Sequence, residues 1–178
     1  MGFAVLHFSK TAGSDTGTSG HIERKVQPEN ADASRTHLNR ELVQFPEGVH
    51  DRTHAIQHQL KNAGIKRKIT KNQVTVIRVT LSGSNEDMKR IDKDGKLDDW
   101  ANDSLEWLQD TFGKDNIVSA VLHRDETSSH IHAALIPIVT GERRKAAKER
   151  ADKAQTGKKT YRKKSMNTVR LCADDVTM

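Results

Sequence analysis

The sequence predicts an α+β domain, an antiparallel (mixed) β-sheet with helices packed on one face. Three observations carry that prediction. Alternating or β-branched runs at 3–8, 74–81, 117–122 and 130–135 have the pattern of strands. Helical spacings at 51–63 and 97–112 interrupt them without following every strand, unlike the strict alternation of a parallel α/β fold. The two last strands are separated by a short polar segment, Asp125 to Ser129, that suits a hairpin turn.

The elements follow in order. Phe3, Val5 and His7 alternate with Ala4, Leu6 and Phe8 in a first strand. Three glycines with Ser and Thr between 11 and 20 predict a flexible loop, and 21–26 a short strand or irregular segment. The polar stretch 28–41 has no clear period. Ile56, Leu60 and Ala63 form one stripe of a helix over 51–63, stopped by Gly64. Residues 74–81 predict a central strand, and Ser84 opens a polar helical stretch. Leu97, Trp100, Ala101, Leu105, Leu108 and Phe112 keep helical spacing up to Gly113, which assigns Trp100 and Trp107 to the core rather than to base stacking. The hairpin comes next, then a polar helix over 142–154.

Composition narrows the class. A chain of 178 residues suits one domain with a short appendage. With 34% hydrophobic and 30% charged residues, a core is possible but small. No apolar run approaches the ~20 residues a membrane span requires, and residues 1–10 are too short and polar for a secretory signal. Cys172 is the only cysteine, which excludes an intrachain disulfide and suits a reducing cytoplasm. Net charge is +6 and unevenly placed: residues 142–178 hold 12 Lys and Arg against 5 Asp and Glu. The basic peak around Lys158, Lys159, Arg162, Lys163 and Lys164 is expected to contact phosphates, with a solvated tail as the alternative.

The most informative run is His123-Arg124-Asp125-Glu126-Thr127-Ser128-Ser129-His130-Ile131-His132. Side chains two apart on a strand share a face, so His130 and His132 project together while Ile131, Ala133 and Leu135 form the opposite, apolar face. A hairpin folded at 125–129 returns His123 opposite that pair, with Glu126 close enough to join. Three imidazoles converging with a carboxylate predict a divalent cation site. His50, His54 and His58 also recur every four residues, but no carboxylate completes a metalloprotease motif, and a solvated or DNA-facing stripe is expected.

Two earlier clusters, His21-Ile22-Glu23-Arg24 and Ser34-Arg35-Thr36-His37-Leu38-Asn39-Arg40-Glu41-Leu42, stand in order with the third. Together the three resemble the H-x-x-R, S-R-T-H-x-N-x-E-L and H-x-D-E-x-x-x-H-x-H motifs of the plasmid mobilisation (Mob/Pre, or MobV) relaxases within the HUH endonucleases. The resemblance covers residues 1–140. One departure is Ser129, where the family commonly has proline; a looser hairpin is expected. Family members are also longer, so the chain is expected to be the N-terminal part of a longer protein, with a catalytic domain at 1–141 and a basic helical or flexible segment at 142–178.

The resemblance implies an antiparallel sheet with the histidine strands central. It also implies strand-specific nicking at an origin of transfer in plasmid or transposon mobilisation, the enzyme remaining on the 5′ phosphate. His123, His130 and His132, with Glu126 as fourth ligand, would hold the metal, manganese first and magnesium, zinc or nickel as alternatives. His21 matches the family's histidine nucleophile, and Arg24 would clamp the phosphate. Glu41, Asn30, Asp32, His37 and Asn39 become candidates to orient His21 or contact DNA, and Arg35 joins the DNA-contacting set. Asp125 would orient a ligand imidazole. The implied partners are origin DNA, single-stranded or hairpin, and other mobilisation proteins, in a bacterial cytoplasm. Two alternatives remain: an origin-binding autorepressor that does not cut, and a rolling-circle initiator using Tyr161, the sole tyrosine.

Overall fold

The computed structural model describes residues 4–13, 15–141, 151–157 and 167–177. The 142–150 part of the expected C-terminal helix, Tyr161 and the basic peak at 158–164 lie outside them, while 151–155 is helical. The body is a five-stranded sheet of order β1-β3-β5-β4-β2, built from β1 (Ala4–Ala12), β2 (Arg40–Glu41), β3 (Val74–Gly83), β4 (Ile117–His123) and β5 (His130–Leu135). Every pairing is antiparallel. The histidine strand β5 is central, β3 stands beside it, and β1 forms an exposed edge.

The helices are α1 (Thr16–Ile22), α2 (Arg52–Asn62), α3 (Asn85–Lys93) and α4 (Leu97–Phe112). Two of them start on side-chain caps: Asp51 accepts from the His54 N–H at the start of α2, and Ser84 from the Asp87 N–H at the start of α3. Met88, Leu97, Ala101, Leu108 and Phe112 of α3 and α4 pack against Ile77, Val79, Ala120, Leu122, Ile131, Ala133 and Leu135. Each large aliphatic side chain buried there contributes about 2 kcal/mol. Trp100 packs at the margin of this core, whereas Trp107, expected in the core, is 42% exposed with one ring contact, edge-on to Phe112, because it lies at the rim of the α4 stripe.

The opposite face departs from expectation. Ala55 and Ile56 of α2 pack there on Val76, Val118, Ala134 and Ile136. Helices therefore pack on both faces of the sheet, with α2 on the part of the histidine face away from His130 and His132. A stripe on α2 marks an apolar side but not which sheet face receives it.

Residues 16–20, expected as loop, and 21–22, expected as short strand or irregular, form α1, although Gly17 and Gly20 disfavour a helix. Tertiary contacts override that propensity. Arg52, 1% exposed, donates to the Ser19 Oγ at 2.7 Å and the Asp15 carboxylate at 2.9 Å, while its backbone N–H donates to Glu23 at 2.5 Å. Arg52→Met is expected to cost about 3 kcal/mol or more in chemical denaturation, since it leaves the buried Asp15 charge with weaker partners; a loss below about 1 kcal/mol would show the clasp to be incidental.

The boundary expected at residue 141 also needs correction. Strands β6 (Ile138–Thr140) and β7 (Val169–Leu171) pair across it, and Ala173, at the start of the short helix α5 (Ala173–Val176), joins the main core. The segment 167–177 thus packs back on the same body as 4–141, because Leu171 and Ala173 bury apolar surface there.

Candidate active site

The site is assembled by strand register. His123 pairs directly with His130 across β4 and β5, and His132 follows two residues later on the same face. The three rings pack edge-on with centroids 4.7 to 5.3 Å apart. One ring nitrogen from each lies within 4.8 Å of the others.

Hydrogen bonds on the far nitrogens assign the tautomers. A carbonyl only accepts, so His123 Nε2–H donates to the Ile22 carbonyl at 3.0 Å and His130 Nδ1–H to the Ser128 carbonyl at 2.8 Å. His132 Nδ1 meets the Thr80 hydroxyl at 3.3 Å. The Nε2 atoms of His130 and His132 are left to face inward beside His123 Nδ1, which accepts from Arg24 and would exchange that bond for a metal. Those two Nε2 atoms stand 3.1 Å apart, close to the separation of adjacent nitrogens that each lie about 2.1 Å from one ion. Burial pushes the His132 imidazole down to about 3, reinforced by the neighbouring His130 and His123, and lowers His130 as well. Neutral rings expose the lone pairs that a metal takes, so this donor set fits a divalent cation.

The hairpin is not loose, despite Ser129 in place of proline. The Ser82 Oγ donates to the Ser129 carbonyl at 3.0 Å, and Asn85 Nδ2 to the Thr127 carbonyl at 3.0 Å. Contacts from the β3–α3 corner replace the stiffness of a proline ring.

Arg24 behaves differently from a phosphate clamp. Its side chain is 5% exposed and fully engaged inside the protein. It donates to both Asp125 oxygens at 2.7 and 2.8 Å, to Glu126 at 2.7 Å, to His123 Nδ1 at 3.1 Å and to the His21 carbonyl at 3.1 Å. Its backbone lies in the left-handed region at φ 56, which costs about 1 kcal/mol for a non-glycine residue; these charge-assisted bonds offset that strain.

Asp125 touches no imidazole through a hydrogen bond. It accepts from Arg24, Thr36 and Asn39. Burial opposes its ionisation, yet the bonds from Arg24 and Asn39 hold its carboxyl well below the usual range. The backbone carbonyls of Ile22 and Ser128 and the Thr80 hydroxyl orient the rings instead. Glu126 stands 3.7 Å from His123 Nδ1 and 3.8 Å from His130 Nε2, but its oxygens accept from Arg24 and Asn30. It groups with His123 and Asp125 rather than with all three imidazoles. The His123 and Arg24 contacts hold it down to about 2.

His21 is exposed in the last turn of α1. The residues that follow it are tied to His123, Ile22 through its carbonyl and Arg24 through its guanidinium, which also meets Glu126. Arg35 and His37 are exposed on the 3-10 turn Ala33–Leu38, which Asp32 caps. Asn39 is turned inward, bonded to Asp125 and the Arg124 N–H, which accounts for it without DNA. His54 is solvated beside Asp51, and His50 is exposed. Thr36, Thr80 and Arg52 were missed by the sequence reading. Only Thr36 had a signal, its place inside the second motif.

Glu41 does not contact His21. It lines a cavity with Glu23 and Phe45, and accepts from Ser119 Oγ at 3.3 Å. Crowding by protein pushes its carboxyl up to about 7, against the pull of Ser119 and Ala120. The folded state therefore holds this proton more tightly than the unfolded chain. That contribution to stability is complete below the ordinary value of 4.5 and is lost as pH rises through about 7. Glu41→Gln is expected to match wild type in thermal melts at pH 4 and to exceed it at pH 8, by a solvent-screened gain on the order of 1 kcal/mol. Equal melting differences at the two pH values would sink this assignment.

A family model described as plasmid recombination enzyme matches residues 1–171. The chain is 31% identical over 137 residues to a 65 kDa protein of Zymomonas mobilis, covering 76% of this chain and 23% of that protein. It is 28% identical over 143 residues to a plasmid recombination enzyme of Lactiplantibacillus plantarum, covering 77% and 38%, and 29% identical over 158 residues to the type 3 enzyme of Staphylococcus aureus, covering 84% and 37%. It thus spans well under half of each of these relatives. Among solved structures, the fold is similar to a manganese-bound MobM relaxase domain in complex with plasmid oriT DNA, with a TM-score of 0.68 at 21% identity, covering 91% of this chain and 90% of that one. Among the described residues, no helix is long and apolar enough to cross a membrane.

Proposed function

The chain belongs to the Mob/Pre family of plasmid recombination enzymes, and from that premise we propose that it is a metal-dependent DNA relaxase with a histidine nucleophile. One observation carries the reading: His123, His130 and His132 bring one ring nitrogen each within 4.8 Å of one another, and Arg24, which donates to the His21 carbonyl at 3.1 Å, ties that residue's backbone to the same corner. His21 itself is exposed, three residues before Arg24 in the chain, and in this reading its imidazole reaches the three-histidine cluster.

His123, His130 and His132 hold a divalent cation, with manganese the leading choice because a similar relaxase fold was crystallised with it. Bound there, the ion supplies positive charge against the non-bridging oxygens of the scissile phosphate. The protein does the rest. A His21 ring nitrogen attacks phosphorus, a nitrogen–phosphorus bond forms, and the bond to the 3′ oxygen breaks. That oxygen leaves as the 3′ hydroxyl after taking a proton, while the 5′ phosphate stays on the enzyme. An imidazole lone pair needs no prior deprotonation, and the phosphoramidate is reactive enough to be reversed when the strand is rejoined. Arg24 acts here as a positioning residue, and Glu126, fixed by Arg24 and Asn30, places negative charge beside the trio.

The substrate of this reading is origin-of-transfer DNA, single-stranded or extruded as a hairpin. Lys158, Lys159, Arg162, Lys163 and Lys164 would add affinity that does not depend on sequence. Replacing these five with glutamine is expected to flatten the plot of log affinity against log salt by about 0.7 for each residue that contacts a phosphate. An unchanged slope in fluorescence anisotropy titrations would remove the segment from the interface. The central test is a nicking assay on a labelled oligonucleotide carrying the cognate origin, with manganese present. A nick with a covalent adduct supports the relaxase; tight binding without either supports the non-cleaving DNA-binding alternative.

A further inference from the structure

Arg24 also borders a second feature, a cavity of ≈ 410 Å³ that the nicking chemistry leaves unused. Its size falls within the range of small-ligand pockets, about 300–1,000 Å³. Ile22, Phe45 and Val121 supply apolar wall, and two of them reach the imidazole trio directly. The Ile22 carbonyl accepts from His123, and Val121 pairs with His132 across the sheet. A strand whose phosphate lies at the trio would therefore bring a neighbouring nucleotide to the mouth of this cavity.

The charges inside it select the part of that nucleotide that fits. Glu23 and Asp51 are matched by Lys25, and Arg24 by Asp125 and Glu126. Glu41 alone has neutral hydrogen-bond partners, and it forms no ion pair among the described residues. A phosphate would meet this carboxyl unfavourably whenever it is ionised. A base edge that donates N–H meets it well, as carboxylates do in reading the amino group of cytosine, and Phe45 offers an aromatic surface of the kind on which single-stranded bases stack.

We propose that this cavity receives one unstacked base of the scissile strand, cytosine or adenine, with its ring against Phe45 and its amino group donating to Glu41. Both bases carry an amino donor beside a ring-nitrogen acceptor, which a carboxyl that keeps its proton near neutral pH can satisfy on both sides. Thymine has no amino group, and only its ring N–H beside a carbonyl could meet Glu41. The proposal rests on the relaxase reading, to which it adds a determinant of sequence specificity close to the nick.

The test uses the oligonucleotide that gives an adduct in the nicking assay. Each nucleotide near the nick is replaced in turn by an abasic unit, and affinity is read by fluorescence anisotropy for wild type, Phe45→Ala and Phe45→Leu. One abasic position is expected to weaken wild type about tenfold, with thymine at that position weakening it by a smaller factor. Both Phe45 variants should bind the intact strand more weakly yet lose nothing further at that one abasic position. Misfolding could not produce such non-additivity, because its penalty would add at every position. A scan with no sensitive position, or penalties that simply add to those of Phe45→Ala, overturns the pocket while adduct formation leaves the relaxase standing. Absence of any adduct removes the relaxase reading, and this proposal with it.

Discussion

His21→Ala is expected to abolish the covalent protein–DNA adduct, by at least about a thousandfold in rate, because loss of a nucleophile removes the step itself rather than weakening binding. The geometry makes this a sharp test. The His21 side chain is exposed while its neighbours Ile22 and Arg24 are locked to His123. Its replacement therefore leaves those bonds and the imidazole trio intact, and DNA affinity should change little. Tyr161→Phe is the matched control, and it should nick and form the adduct as wild type does. The opposite pattern, an adduct from His21→Ala and none from Tyr161→Phe, would transfer the nucleophile to the tyrosine and favour the rolling-circle initiator. Gel mobility of labelled oligonucleotide, with and without proteolysis, separates these results.

Removal of the metal ranks second. Treatment with a strong chelator should stop nicking, and added manganese should restore it. His132→Ala should lower manganese affinity by more than about a hundredfold, read by calorimetry. That figure is at least what loss of an outer hydrogen-bond partner costs, and His132 lies nearer the ion in this arrangement. Ala133 and Ile131 face the other way into the core, so the substitution should spare the fold. Full nicking in chelator, or unaltered manganese binding by His132→Ala, would refute the role given to the trio. A third result discriminates Arg24 from a phosphate ligand. If it positions His21, Arg24→Lys should reduce the nicking rate at saturating DNA far more than it reduces affinity, because a single ammonium cannot span both Asp125 oxygens, Glu126 and the His21 carbonyl.

The trio was legible because its logic is local. Two residues of a strand spaced by one must share a face, and a hairpin of this length must return His123 opposite His130. The helices over 51–63 and 97–112 were legible for the same reason, through the helical spacing of their apolar residues. The α1 helix was not, because its own residues argue against it and the stabilising group, Arg52, lies 33 residues away from Ser19. Nor could the sequence show that residues 169–171 would add a strand beside 138–140, since the intervening stretch has the composition of a tail.

What the amino-acid sequence determined by itself was therefore the α+β class, the antiparallel hairpin and the imidazoles that share one face of it, all consequences of periods of two and 3.6 residues along the chain. The tertiary structure alone decided that α2 covers part of the histidine face, that Arg24 is spent on Asp125 and Glu126 instead of DNA, and that Glu41 lines a cavity away from His21. Side-chain periodicity is a property of neighbouring residues. The partner of a buried charge is not: Arg24 meets Asp125 across 101 positions of sequence, and only the packed sheet brings the two within 2.8 Å.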